Sequence, residues 1–233
     1  MCVRLGIWQL DRLDQRRAFN DEVTSRGELS PQPLQQLIDE VADIEQIEHR
    51  RVEVAGRYDA EREILVVGST LDDRPGMEVV TPLVTSDGQA VLVDRGFVPV
   101  VDPNAVVPAE AKPPRGGVEV VGVFRTSERG RFSVAGDEEA NGGTIGHATG
   151  VDVERIATQL PYDLAPGYVR IEAERNNGNG LPVPLRPADV GEGPHLSYAA
   201  QWFSFAVVFL VGWPILIRRT ARQRQRHRTG AAE

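Results

Sequence analysis

Leu196–Ile217, LSYAAQWFSFAVVFLVGWPILI, is a run of 22 residues without a charge. As a helix rising ~1.5 Å per residue it spans ~33 Å, against a bilayer hydrocarbon core of ~30 Å. A helix that is apolar all round needs either a large protein core or lipid around it. The run passes directly into RRTARQRQRHR, with six arginines between Arg218 and Arg228. Arginine just after a span marks the cytoplasmic side. The stretch therefore predicts a transmembrane helix over 195–217 and a basic cytoplasmic tail over 218–233. What precedes the helix is expected outside.

Charge follows the same division. Residues 218–233 hold six Arg and one Glu, net +5, which leaves 20 basic and 33 acidic residues, net −13, in the rest. An acidic domain of this kind is a poor ligand for nucleic acid or anionic lipid, and the basic tail is read as topogenic charge rather than as a nucleic-acid site. The single cysteine, Cys2, excludes an intrachain disulfide and a C-x-x-C redox or copper-thiolate motif.

The N-terminal MCVRLGIWQL is too short and too charged for a secretory h-region. Two expectations are open. In one, the chain is a tail-anchored cytoplasmic module. In the other, the natural start lies upstream and residues 1–10 are the remnant of a first transmembrane helix, with Trp8 at the interface.

Leu10 to about Arg26 reads as a charged helical stalk. Ser30-Pro31-Gln32-Pro33 then introduces a short helix with Leu34, Leu37, Ile38, Val41 and Ile44 at helical spacing. From residue 51 the period changes to two. Strands are predicted at 51–59, 63–69, 77–85, 89–100, 118–126 and 168–176, with Ser86-Asp87-Gly88 as a hairpin turn. Asp102–Gly117 reads as a loop, Glu128–Thr149 as a polar Gly-rich loop, and 151–160 as a helix opened by Asp152. The fold class expected is α+β: a membrane protein whose residues 11–194 form an antiparallel, barrel-like, β-rich extracytoplasmic domain with two or three helices.

Three places invite chemistry. Arg74-Pro75-Gly76 has the composition of a turn. Arg95-Gly96 lies at a strand end, where Gly marks a bulge or the close approach of a backbone or ligand. The planar fork of Arg95 suits a ligand carboxylate, a partner carboxylate or a surface ion pair. At ~100° per residue, His195, Tyr198, Trp202, Phe205 and Phe209 fall within about 80° of one another. A His at the mouth of an aromatic stripe can ligate haem iron. The plainer reading is an interfacial His above lipid-facing aromatics, with Tyr198 and Trp202 as interface anchors. His49, His147 and His227 are isolated. Paired acids such as Asp72-Asp73 and Glu138-Glu139 read as solvated turns. With no phosphate loop, nucleophile elbow or HExxH, an enzyme is not expected.

Leu5-Gly6-Ile7-Trp8-Gln9-Leu10 with Arg12, Arg74-Pro75-Gly76-Met77-Glu78-Val79-Val80-Thr81-Pro82 with Val93-Asp94-Arg95-Gly96-Phe97-Val98-Pro99, and His195-Leu196-Ser197-Tyr198-Ala199-Ala200-Gln201-Trp202-Phe203 together resemble the SURF1 family of cytochrome c oxidase assembly factors. The departures are mild: Asp94 and Phe97 replace the family's usual Asn and Trp, and Met77 stands where an aromatic is common. The resemblance implies a two-helix protein of the bacterial plasma membrane, its main domain outside. It implies haem a as a transient cofactor. His195 would ligate its iron, and Tyr198, Trp202 and Arg95 would contact the macrocycle or a propionate. Oxidase subunit I and the haem a synthesis machinery would be its partners, and a homo-oligomer is left open. The competing expectation is a haem-free scaffold that stabilises an oxidase subunit.

Overall fold

The computed structural model describes residues 1–102, 106–128, 146–174, 180–185 and 191–229. Among them are the helices α1 (Cys2–Glu28), α2 (Leu34–Glu40), α3 (Val153–Ala157) and α4 (His195–Thr229). The strands are β1 (Gln32–Pro33), β2 (Arg51–Tyr58), β3 (Ile64–Leu71), β4 (Arg74–Val84), β5 (Ala90–Val98), β6 (Gly117–Thr126), β7 (His147–Ala148) and β8 (Leu164–Glu174). The chain divides into a helical unit, Met1–Thr24 with Asp189–Glu233, and a β-unit, Ser25–Ala188.

In the β-unit, five strands close on themselves in the order β2-β6-β8-β5-β4, with β4 returning to β2 through Arg57↔Val84 and Tyr58↔Leu83. Closure needs a bare backbone at Gly56: a Cβ there would lie 3.0 Å from Leu83 Cγ and from the Val84 carbonyl carbon. Period-2 alternation fills the two faces. Val91 and Val93 of β5 join Val52, Val54, Val120, Phe124, Val169 and Ile171 in one cluster, which Leu34 and Leu37 of α2 complete. Leu92 points the other way, to Val80, Tyr168 and the α3 residues Val153 and Ile156. Every residue of β5 is buried, as expected of a strand covered on both faces.

Strands β2–β6 and β8 fall close to the six predicted, the two-residue strands β1 and β7 were not expected, and Asp152 caps α3 by accepting from the Arg155 N–H at 3.2 Å. Two expectations are corrected. The sheet is not wholly antiparallel: β5 and β8 run parallel, Leu92 opposite Tyr168 and Asp94 opposite Arg170. A parallel neighbour arrives by a crossover, not a hairpin, so no local turn announces it. Arg74-Pro75-Gly76 is also not a turn. Strand β4 already begins at Arg74, and the two-residue turn is Asp72-Asp73, with φ of 50° and 60°. That left-handed pair is what a two-residue hairpin needs, and Asp tolerates it. Gly76 answers to packing instead, since a Cβ there would run into the Phe97 ring and the Val98 carbonyl.

Most of the predicted Gly-rich loop (129–145, including Glu138-Glu139), residues 175–179 of the NNGNG stretch, 186–190, 103–105 in the Asp102–Gly117 loop, and 230–233 of the tail lie outside the described residues.

In the helical unit, α1 runs unbroken through position 10. Helix α4 contains His195–Thr220, which by length and composition can cross a bilayer. Its large apolar side chains lie open, Val208 and Phe209 at 65% and Leu210 at 72%. A contiguous exposed surface of that kind is unfavourable in water and is satisfied by lipid.

Candidate functional site

One stripe of α1, at alternating three- and four-residue spacing, faces α4 and the segment before it. Gly6 lies against Phe203: a Cβ there would sit 2.7 Å from the ring. Leu13 and Ala199 are buried. Arg16 Nε and Asn20 Nδ2 donate to the Gly191 carbonyl at 3.3 and 3.5 Å. Arg17 holds Glu192 through two hydrogen bonds of 2.7 and 3.0 Å. This forked pair fixes the segment Gly191–Pro194 that delivers His195 to the first position of α4.

His195 Nδ1 lies 2.9 Å from Gln9 Oε1. An amide oxygen can only accept, so in this contact Nδ1 is the donor, which in the neutral ring is the Nδ1–H tautomer. Nε2 has no partner among the described residues. Gly193, with φ of +69°, lies beside it; a Cβ at 193 would meet Nε2 at an ordinary contact distance of 3.6 Å. Tyr198 is 47% exposed. Trp202 is half-buried and meets Phe205 edge-on, centroids 5.9 Å apart at 81°. On α1, Arg12 lies over the Trp8 ring at 5.6 Å. The arrangement can present one imidazole nitrogen beside aromatic surface. That donor set fits a haem iron: a single nitrogen ligand with flat apolar groups on the same helix face.

Arg95, the fourth candidate, belongs to the β-unit and is fully buried. The strand bulges here: Val79 pairs with Gly96 and Val80 with Asp94, leaving Arg95 as the extra residue. Its guanidinium donates to the Ala111 carbonyl at 2.7 Å, lies 3.4 Å from Glu63 and stacks over Tyr58 at 5.2 Å. It is neither a surface ion pair nor open to an incoming carboxylate. Glu63 also accepts from Thr81 at 3.0 Å. Burial pushes its carboxyl up, and Thr81 and Arg95 oppose the shift.

Next to it, Asp94 is also fully buried, accepting from the Gly96 N–H at 3.1 Å and from Arg170 Nε at 2.6 Å. Arg170 reaches Glu78 at 3.1 Å, and Glu78 accepts from Ser69 at 2.6 Å. Burial, with the Glu78 carboxylate as a second cause, pushes Asp94 up to about 7. Burial works against the Arg170 charge, but Asp94 and Glu78 outweigh it and hold that guanidinium above its usual range. Alternation did not single out this cluster; its one signal was the pair of charges, Asp94-Arg95, inside an otherwise apolar strand.

The stretches singled out in the sequence thus pair with one another: Gly6 and Gln9 with Phe203 and His195, Gly76 with Phe97. Residues 1–207 match the model of the SURF1 family. The chain belongs to the SURF1 family. Surfeit locus protein 1 of Xenopus tropicalis is 32% identical over 230 residues, covering 90% of this chain and 70% of the frog protein. An uncharacterised SURF1-like protein of Mycobacterium tuberculosis is 27% identical over 229 residues, 97% of this chain and 82% of its own length. A SURF1-like protein of Rickettsia bellii is 26% identical over 223 residues, 94% of this chain and 87% of its own. The matched SURF1 region takes in α1, the whole β-unit and the first part of α4, so it includes both Gln9 and His195.

Proposed function

We propose that this SURF1 family member is a membrane-bound assembly factor for cytochrome c oxidase. It holds haem a at the mouth of the α1–α4 pair and passes it to subunit I. The β-unit stands outside the bacterial plasma membrane, and the arginine-rich end of α4 stands inside. The family match over residues 1–207 carries the assembly role, and His195 carries the haem part of the reading. Haem a is cargo here; when held, it would supply an iron that takes an imidazole nitrogen as ligand. The chain's own groups do the rest. Gln9 orients the imidazole, Arg17–Glu192 fixes the segment before it, and Tyr198 and Trp202 offer apolar surface to a macrocycle. One protein nitrogen at an open mouth suits a ligand that must leave. Arg95 is enclosed within the β-unit, so no propionate is assigned to it.

That enclosure of Arg95 also favours a second reading, a haem-free scaffold whose β-unit contacts a folding oxidase subunit. Complementation tests the shared role. A bacterial strain lacking its own SURF1 protein, supplied with this chain, regains oxidase activity and haem a absorbance. Unchanged, oxidase-poor membranes despite correct insertion would contradict both readings.

A further inference from the structure

We infer that Gln9 is a positioning residue for His195: it fixes the imidazole as the Nδ1–H tautomer and so makes Nε2 the nitrogen available to a ligand. The inference rests on the haem reading and adds to it the group that makes the ligand competent. A neutral imidazole can ligate iron only through the nitrogen without the proton, so one hydrogen bond on the far nitrogen decides which end is available. In this chain that bond is Gln9 Oε1 to Nδ1, 2.9 Å, and it crosses from α1 to α4. The same contact fixes the ring's orientation, because Gln9 is itself held in register. Gly6, three residues before it, sits against Phe203, and Arg17, eight residues after it, forks onto Glu192. Nε2, by contrast, has no partner among the described residues. The two edges of the ring are therefore treated differently, one bound and one without a protein partner. Were the Gln9 amide reversed, its NH2 would donate to Nδ1, the proton would move to Nε2, and His195 could not ligate.

The test uses the full chain in detergent micelles. Nitrogen NMR of 15N-histidine protein, with His195 assigned from the His195→Ala difference, reads the tautomer without haem. Wild type is expected as Nδ1–H, and Gln9→Leu as a shift towards Nε2–H. Titration with ferric protoporphyrin IX then reads the consequence: Gln9→Leu weakens binding roughly tenfold or more, and Gln9→Glu, which keeps an oxygen acceptor at similar reach, restores it. An Nε2–H tautomer in wild type, or equal affinity for wild type and Gln9→Leu, overturns the inference while leaving His195 as ligand. Equal porphyrin affinity for wild type and His195→Ala overturns His195 as the ligand and the inference with it.

Discussion

Gly96→Ala is expected to destabilise the β-unit more than any other single methyl addition named here. Gly96 has φ of +117°, outside the range that residues with a side chain adopt readily. Holding alanine there costs about 1–3 kcal/mol. The added Cβ would also sit 2.6 Å from the Val183 carbonyl carbon and 2.9 Å from Pro184 Cα, with the Val183 oxygen nearer still. These are backbone atoms, so relief means moving the chain, at about 1–3 kcal/mol for overpacking. The segment that must move is tied to β5 by two bonds, Phe97 N–H to Val183 O at 2.8 Å and Val183 N–H to Phe97 O at 2.9 Å. The two costs together come to about 2–6 kcal/mol. At ~2–4 °C per kcal/mol, a central loss of ~4 kcal/mol lowers the melting temperature by roughly 8–16 °C. Because the chain has two units, a single melting curve is ambiguous. Hydrogen exchange read on peptides from β4, β5 and β8 reports the β-unit alone. Gly27→Ala is the control: it lies in α1 with nothing within 4 Å, and alanine there is neutral or stabilising by up to ~1 kcal/mol. A loss below ~0.5 kcal/mol for Gly96→Ala would refute the close-approach argument.

Three further outcomes follow. Asp94, pushed up to about 7, holds a proton in the folded state that the unfolded chain has released above its ordinary value near 4, so stability falls as pH rises from about 4 to about 7. Asp94→Asn should remove that slope, which one proton limits to about 1.4 kcal/mol per pH unit; an unchanged slope in exchange-derived stability would refute the assignment. Arg95→Ala leaves the Glu63 carboxylate enclosed without its partner, for a loss of about 3–5 kcal/mol, and Arg95→Met, which fills the space but removes the same charge, costs nearly as much. A much smaller loss for Arg95→Met on the same exchange measurement would count against a charge-based explanation. Protease added outside sealed cells should cut the β-unit and spare the arginine-rich tail; protection of the β-unit there, with cutting from the cytoplasmic side, would reverse the proposed orientation.

Legibility in the sequence followed the range of the forces. Strands β2 and β6 could be read because each alternates over its own length, β4 and β5 because they are short apolar runs on either side of a turn, and the Ser86-Asp87-Gly88 turn because its Gly88 needs positive φ. The parallel partnership of β5 with β8 could not, since it joins residues 76 apart, such as Asp94 and Arg170, with no periodic signature. Arg74-Pro75-Gly76 misled because turn composition and close packing both call for glycine; the distinguishing fact, the Phe97 ring against Gly76, is tertiary. At the helical site His195 stood out by type and position. Gln9 did not, although Gly6, Gln9, Leu13, Arg16 and Asn20 lie at steps of three and four that mark one face of α1. Arg95 drew attention as a charged residue at a strand end, but the bulge that turns it inward shows only in the β4–β5 register.

An absorption spectrum tests the central claim most directly. The full chain and His195→Ala would be co-expressed with a haem a synthesis pathway and purified side by side in detergent. The account predicts a haem a band in the wild-type protein that is lost or strongly weakened in the variant. Equal haem in both would contradict His195 as the ligand, and none in either would contradict the carrier.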